Sequence, residues 1–381
     1  TGLERITFRA VATFSPAAFM MFVSRRFFHA NRAETTDCQV AGKPRLPGRC
    51  SLPFPSQSVP QAIASTMPPQ TEALRFDVVT VTLNPAIDRT VTIHDFRPGT
   101  VNRVEAVRTW AGGKGINVAA GLADAGHRVA ASGFIGDENR GIFEELFGHK
   151  GIHDACVRLQ GSTRVSIKIV DPDKAETTDI NFPGLPANPA ALNSLEQRLS
   201  QIAAPWYVVA GSLPPGVPPT VYARLIRFLK DRGGEVVLDT SGEALRAAIA
   251  AGPSVIKPNV HELEELVGAP LTTTAALIEA ARTLLTGGVT LVAISRGEQG
   301  AAFITNTEVV HARPPSIAVE STVGAGDAMV AGIVAAKLRG LTLRETARLA
   351  TAFSLHALTR NDRSPPQAGE LEALASRVAL S

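Results

Sequence analysis

From residue 208 onward, short apolar runs alternate with longer amphipathic stretches. Residues 208–211 are apolar and strand-sized. Val221, Leu225, Phe228 and Leu229 then recur at i, i+4, i+7 and i+8, the spacing of one helical face, and Gly233-Gly234 closes the stretch. The same reasoning predicts strands at 236–239, 255–257 and 289–295, and helices at 220–232, 242–251, 259–267 and 274–285. Apolar strands separated by helices of this length imply a parallel sheet covered on both faces. A strand at 76–83 and a helix at 117–125 extend the scheme. Residues 87–93, 101–110, 163–170 and 176–181 differ, because polar and apolar positions alternate there as in strands with one exposed face. The expected fold class is α/β: a mainly parallel sheet sandwiched by helices, with a small β-sheet lid lobe from about 87–110 and 163–181.

Residues 1–66 carry no such period. They hold eight Lys/Arg against three Asp/Glu, which makes this stretch +5 and leaves −2 for the rest of a chain whose net charge is +3. The basic character therefore belongs to the tail and does not indicate a nucleic-acid partner for the body. The tail reads as disordered, or as sequence upstream of a start at Met67; an Arg- and Ser-containing, acid-poor transit peptide is the alternative. Its apolar stretch at 17–23 is too short to span a membrane, and the apolar runs of the body are strand- or helix-sized. Residues 1–75 are expected to be an extension, and 76–381 the folded domain. Cys38, Cys50 and Cys156 have neither metal-ligand spacing nor a disulfide framework, which fits a reducing cytoplasm.

Four motifs carry candidate chemistry. In Ser321-Thr322-Val323-Gly324-Ala325-Gly326-Asp327 a glycine-rich turn opens a helix whose Met329, Ile333 and Ala336 share a face. Unpaired N–H groups and the helix dipole at such a start attract anions. Asp327 suits a catalytic base there, and it equally suits a helix cap. Gly112-Gly113-Lys114-Gly115-Ile116-Asn117 opens a second helix; it lacks P-loop spacing, and its Lys and Asn suit a polyhydroxyl ligand. Thr82-Leu83-Asn84-Pro85-Ala86-Ile87-Asp88 ends a strand in a turn and an acid, with Asp88 either a turn residue or an acceptor for vicinal hydroxyls. Lys257-Pro258-Asn259-Val260-His261-Glu262 places Asn259 and Glu262 as a capping box, or as a network for water-bound Mg²⁺ beside phosphates.

Together and in this order, these motifs resemble the ribokinase-type carbohydrate kinases, specifically their phosphofructokinase B branch. Gly133-Phe134-Ile135-Gly136, Gly211-Ser212-Leu213-Pro214-Pro215-Gly216 and Asp239-Thr240-Ser241-Gly242 add to the resemblance, which runs from about residue 76 to 358. It implies a ribokinase-like fold and an ATP-dependent kinase acting on the free primary hydroxyl of a ketohexose phosphate. Fructose 1-phosphate is the first expectation. Tagatose 6-phosphate and fructose 6-phosphate are alternatives within the branch, and a non-catalytic sugar-phosphate sensor is an alternative outside it.

The resemblance further implies roles. Asp327 would be the base, with Gly324, Ala325 and Gly326 as the anion hole. Asp88, Gly112, Gly113, Lys114 and Asn117 would hold the sugar, with Arg103 and Arg164 on its existing phosphate and Ser212 nearby. ATP would meet Lys257, Asn259, Ser295, Arg296, Gly297, Glu298, Gln299, Gly300, Ser321, Gly326 and Asp327, and Glu262 would reach Mg²⁺ through water. A homodimer joined through the lid is implied, with no nucleic acid or membrane partner. Two departures stand out. Arg296 occupies a position usually apolar in the family. The run Thr359-Arg360-Asn361-Asp362-Arg363 lacks the small polar residues usual beside the adenine, so no adenine contact is assigned there.

Overall fold

The computed structural model describes residues 73–360 and 362–381, and the expectations for 1–72 lie outside them. Among the described residues, ten strands form the main sheet. Their spatial order is Ala379–Leu380, Val309–Arg313, Ala301–Ile304, Leu291–Ser295, Val255–Ile256, Glu235–Asp239, Trp206–Ala210, Val78–Thr82, Val129–Gly136 and His153–Leu159. Neighbours from Leu291–Ser295 to His153–Leu159 are parallel, and the three strands beyond Leu291–Ser295 add antiparallel.

Burial explains why these strands read as apolar runs. All five residues of Val78–Thr82 are buried. In Trp206–Ala210, Val208 and Ala210 join the core on one side of the sheet, and Tyr207 and Val209 join the core on the other. A two-residue strand, Leu74–Arg75, pairs in parallel with Ile202–Ala203, so strand pairing is present ahead of residue 76. Among the described residues, no helix is long and apolar enough to cross a membrane.

The lid is a separate four-stranded sheet in the order Ala106–Gly112, Ala86–Thr92, Val165–Asp171 and Glu176–Asn181. Its register sorts the two faces. Val107, Val91 and Ile169 stand in one row, and Ile167 and Ile180 stand in the next row on the same face. The opposite face carries Asp88, Trp110 and Ser166. The expected strand at 101–110 begins only at Ala106. The Asn102 side chain accepts from Arg97 N–H and donates to the Arg97 and Thr100 carbonyls, and this local turn displaces strand pairing over 101–104.

Candidate active site

The polar groups converge at the carboxyl ends of the parallel strands, where open α/β sheets place their ligands. The helix expected from residue 117 runs from Lys114 to Asp124, with Gly113 at its N-cap in a left-handed conformation, φ 109°. A side chain at Gly113 would also strike the Pro85 backbone, 2.9 Å from its Cβ. Gly112 is required for a second reason: a Cβ there would lie 2.1 Å from the Asp88 carboxylate. The two motifs thus share one space, and the glycines make room for Asp88.

Asp327 lies in the first turn of the helix Ala325–Leu338. The N-cap is Gly324, with φ 77° and no side-chain cap, so Asp327 is not the cap that its position near a helix start also allowed. Its Oδ2 accepts from Asn117 Nδ2 at 2.7 Å. Burial pushes its carboxyl up to about 6, Asp239 adds to this, and Asn117, Lys114 and Lys257 oppose it. Lys257 is buried beside this turn, with Nζ 3.6 Å from where a Cβ of Gly326 would be.

Asp239 ends the strand Glu235–Asp239 and is the buried hub of the cluster. Its Oδ1 accepts from Lys114 Nζ at 2.9 Å and lies 3.6 Å from Lys257 Nζ, while its buried Oδ2 has no partner. Lys114 also stands 3.9 Å from Glu262. Burial works against the Lys114 charge, but Asp239, Glu262 and Asp327 outweigh it and hold the ammonium above its ordinary value. Lys114, expected on the sugar, is therefore tied to the carboxylates around Asp239. Asn117, expected on the sugar as well, is committed to Asp327.

The two arginines expected on the phosphate behave differently. Arg164 is half-buried beside the turn ahead of the lid, and donates to the carbonyls of Asn84, Pro85 and Phe182 at 3.2–3.3 Å. Arg103 is exposed on the irregular stretch 101–105, not on a lid strand as its alternating neighbours predicted. Ser212 accepts from Asn84 Nδ2 at 3.0 Å, beside a cleft of about 510 Å³ lined by Asn84, Gly184 and residues 213–217.

On the nucleotide side, Asn259 forms the capping box with Glu262 and also bridges to Ser295. Asn259, Ser295, Arg296, Gly297, Glu298 and Gln299 line a cleft of about 1050 Å³. Arg296 is held at its rim by Gln299 Oε1, 2.7 Å away. Gly300 is explained by the fold, since a Cβ there would lie 2.0 Å from the Ala312 carbonyl. Ser321 lies outside that lining, and its Oγ accepts from Val323 N–H.

Among the described residues, no group of three or more His, Cys, Asp or Glu could by itself hold a metal ion. The donor set does fit Mg²⁺ bound mainly to phosphates and water. Glu262 Oε2 is used by the Asn259 N–H and Oε1 is free of hydrogen bonds, while Asp239 Oδ2 is an unpaired buried acceptor. Sequence reasoning missed three residues here. Asp239 had a signal, an acid closing an apolar parallel strand. Asn84 had a weaker one, as the end of a strand motif. Arg363 had none: it reaches Asp88 and Asn117 from an irregular segment near the C-terminus.

The sequence matches the profile of the pfkB family of carbohydrate kinases over residues 78–366. It is 48% identical over 306 residues to the 1-phosphofructokinase of Rhodobacter capsulatus, covering 80% of this chain and 97% of the relative. It is 48% identical over 296 residues to the 1-phosphofructokinase of Xanthomonas campestris pv. campestris, covering 76% and 93%. Among solved structures, phosphofructokinase-2 from Escherichia coli in complex with fructose-6-phosphate superposes with a TM-score of 0.73 at 28% identity, covering 79% of this chain and 98% of that one. A glycine turn opening onto a buried aspartate at the carboxyl ends of a parallel sheet, under a four-stranded lid, is what this match adds to: the chain belongs to the pfkB family of carbohydrate kinases.

Proposed function

We infer that this kinase is an ATP-dependent 1-phosphofructokinase, converting fructose 1-phosphate to fructose 1,6-bisphosphate. The observation that carries the reading is the Asp327 carboxylate, buried in the first turn of a helix behind the Gly324–Gly326 N–H groups and held by Asn117. The relatives' names support the choice of acceptor.

In this reading the Asp327 carboxylate takes the proton of the sugar's C6 hydroxyl as its oxygen attacks the γ-phosphorus. The bond from that phosphorus to the β,γ-bridging oxygen breaks, and its electron pair leaves with ADP. The N–H groups of the Gly324–Gly326 turn, with Lys257 beside them, stabilise the charge on the moving phosphoryl. Asp88 accepts from ring hydroxyls and so fixes which end of the sugar faces the base. Arg164, beside the turn that carries Asn84, and Arg103 would meet the phosphate already on the sugar. Glu262 would hold Mg²⁺ through water, and the ion would supply charge neutralisation at the phosphates.

A homodimer through the lid is part of this reading, and the two-faced sheet supports it. Val107 and Ile180 are 55% and 43% exposed on the face away from Asp88, where a second copy would cover them. Assay of the purified protein against fructose 1-phosphate, tagatose 6-phosphate, fructose 6-phosphate and free fructose tests the function. The highest kcat/KM is expected with fructose 1-phosphate. A preference for another acceptor moves the protein within the family, and no turnover at all would favour a sensor.

A further inference from the structure

Arg363 stands between the helices Leu343–Leu358 and Glu370–Ser376, 275 residues from the aspartate that it reaches. Its Nη1 donates to the Ala111 carbonyl at 3.2 Å and to Asn117 Oδ1 at 3.3 Å. Its Nη2 lies 3.4 Å from Asp88 Oδ2. The guanidinium carbon stands 5.7 Å from the centre of the Trp110 ring. Its backbone has φ 54°, a left-handed conformation that residues other than glycine rarely adopt. Such a conformation persists where the surroundings over-determine it, and here the side chain is held from four directions.

The bond to Asn117 has a directional consequence. A carboxamide presents an acceptor at one end and donors at the other. With Oδ1 accepting from Arg363, Nδ2 is aimed at Asp327, 2.7 Å away. The flipped amide would set NH₂ against the guanidinium and oxygen against the carboxylate, so both contacts would become repulsive. The guanidinium has donors and no acceptor, so it enforces this orientation. Asp88, Arg363, Asn117 and Asp327 thus form one continuous chain from the lid to the candidate base.

We propose that Arg363 is a positioning residue for phosphoryl transfer: it latches the Asn117 carboxamide so that its NH₂ holds the Asp327 carboxylate. This rests on the reading of Asp327 as the base. The groups facing Asp327 are Asp239, Asn117, Lys114 and Lys257. Without the Asn117 donor, burial and Asp239 would be opposed only by the two lysines. The carboxyl would then hold its proton to higher pH, and the acid limb of the kcat profile would move upward.

The test is the series Arg363→Ala, Arg363→Gln and Arg363→Lys, alone and combined with Asn117→Ala, with Asp327→Asn measured beside it. Arg363→Ala is expected to lower kcat by ~10-fold or more, the scale of a lost charged hydrogen bond, and to move the acid limb to higher pH. The ATP KM should hold. Arg363→Gln, which can still donate to Asn117 Oδ1, should recover part of kcat, and it carries the test if the alanine variant fails to fold. In the Asn117→Ala background, Arg363→Ala should add little further loss of kcat, because the latch then has nothing to orient. Penalties that multiply in the double variant would overturn the proposal. So would a rise in the fructose 1-phosphate KM with kcat and acid limb unchanged, which would make Arg363 an acceptor grip. If Asp327→Asn itself remains active, it is the assignment of the base that fails.

Discussion

At Asp327 two tendencies oppose each other. A helix start favours a carboxylate, which alone would keep this group ionised far below neutrality. Burial, and then the neighbouring Asp239, win instead and push it up to about 6. Catalysis needs the unprotonated form, so kcat should fall as pH drops through about 6, and a profile flat to pH 5 would contradict the assignment. Asp327→Asn is expected to lower kcat by ~10²–10⁴, the contribution of a general base, with sugar-phosphate and ATP affinities largely kept. Single motifs left Asp327 open between cap and base, and the geometry at Gly324 bears on that choice because no side chain caps the helix. Arg103 falls off the expected strand for a local reason. Alternation of polar and apolar residues predicted a strand, but Asn102 bonding to the backbone of its own turn competed with pairing.

Helices show the same competition between local pattern and surroundings. Met329, Ile333 and Ala336 predicted one buried face on the helix after Asp327. In the fold Val330, Ala331, Val334 and Ala335 are buried as well, because Lys114–Asp124 and Leu343–Leu358 both pack on the helix. Small residues permit this close approach. A Cβ on Gly332 would come within 2.6 Å of the Ala350 Cα, which is backbone and cannot swing aside. Gly332→Ala should therefore destabilise the protein by ~1–3 kcal/mol despite the better helix propensity of alanine, as read by denaturant unfolding. A neutral or stabilising result would mean that the two helices separate easily. The consequence for function is direct, since the same helix carries Asp327 and its packing fixes where the carboxylate points.

For the whole molecule, the proposed lid interface would couple site and assembly. Asp88 and Trp110 face one way, while Val107 and Ile180 face the other. Burying the outer face against a second copy would stiffen the sheet that positions Asp88. Ile180→Asp is expected to give a monomer in sedimentation velocity at concentrations where the parent chain is a dimer. Its melting temperature should change little, because Ile180 is already 43% exposed in the single chain. An unchanged oligomeric state would remove the lid as the interface. Part of this was legible beforehand: the alternating lid strands at 87–93, 163–170 and 176–181 were predicted close to their observed bounds.

The sequence by itself determined what depends on near neighbours. Apolar runs ended by polar turns became parallel strands, helical spacing became amphipathic helices, and glycine turns became helix starts, because each is set by residues a few positions apart. It also determined the family, through motifs that keep their order along the chain. Tertiary structure alone decided which partners those motifs take. Lys114 met Asp239, Asn117 met Asp327, and Arg363 joined the site from a segment without motif or period. Such pairings are fixed by how the strands line up and how the lid folds over them, across separations of 125 to 275 residues that no local pattern spans.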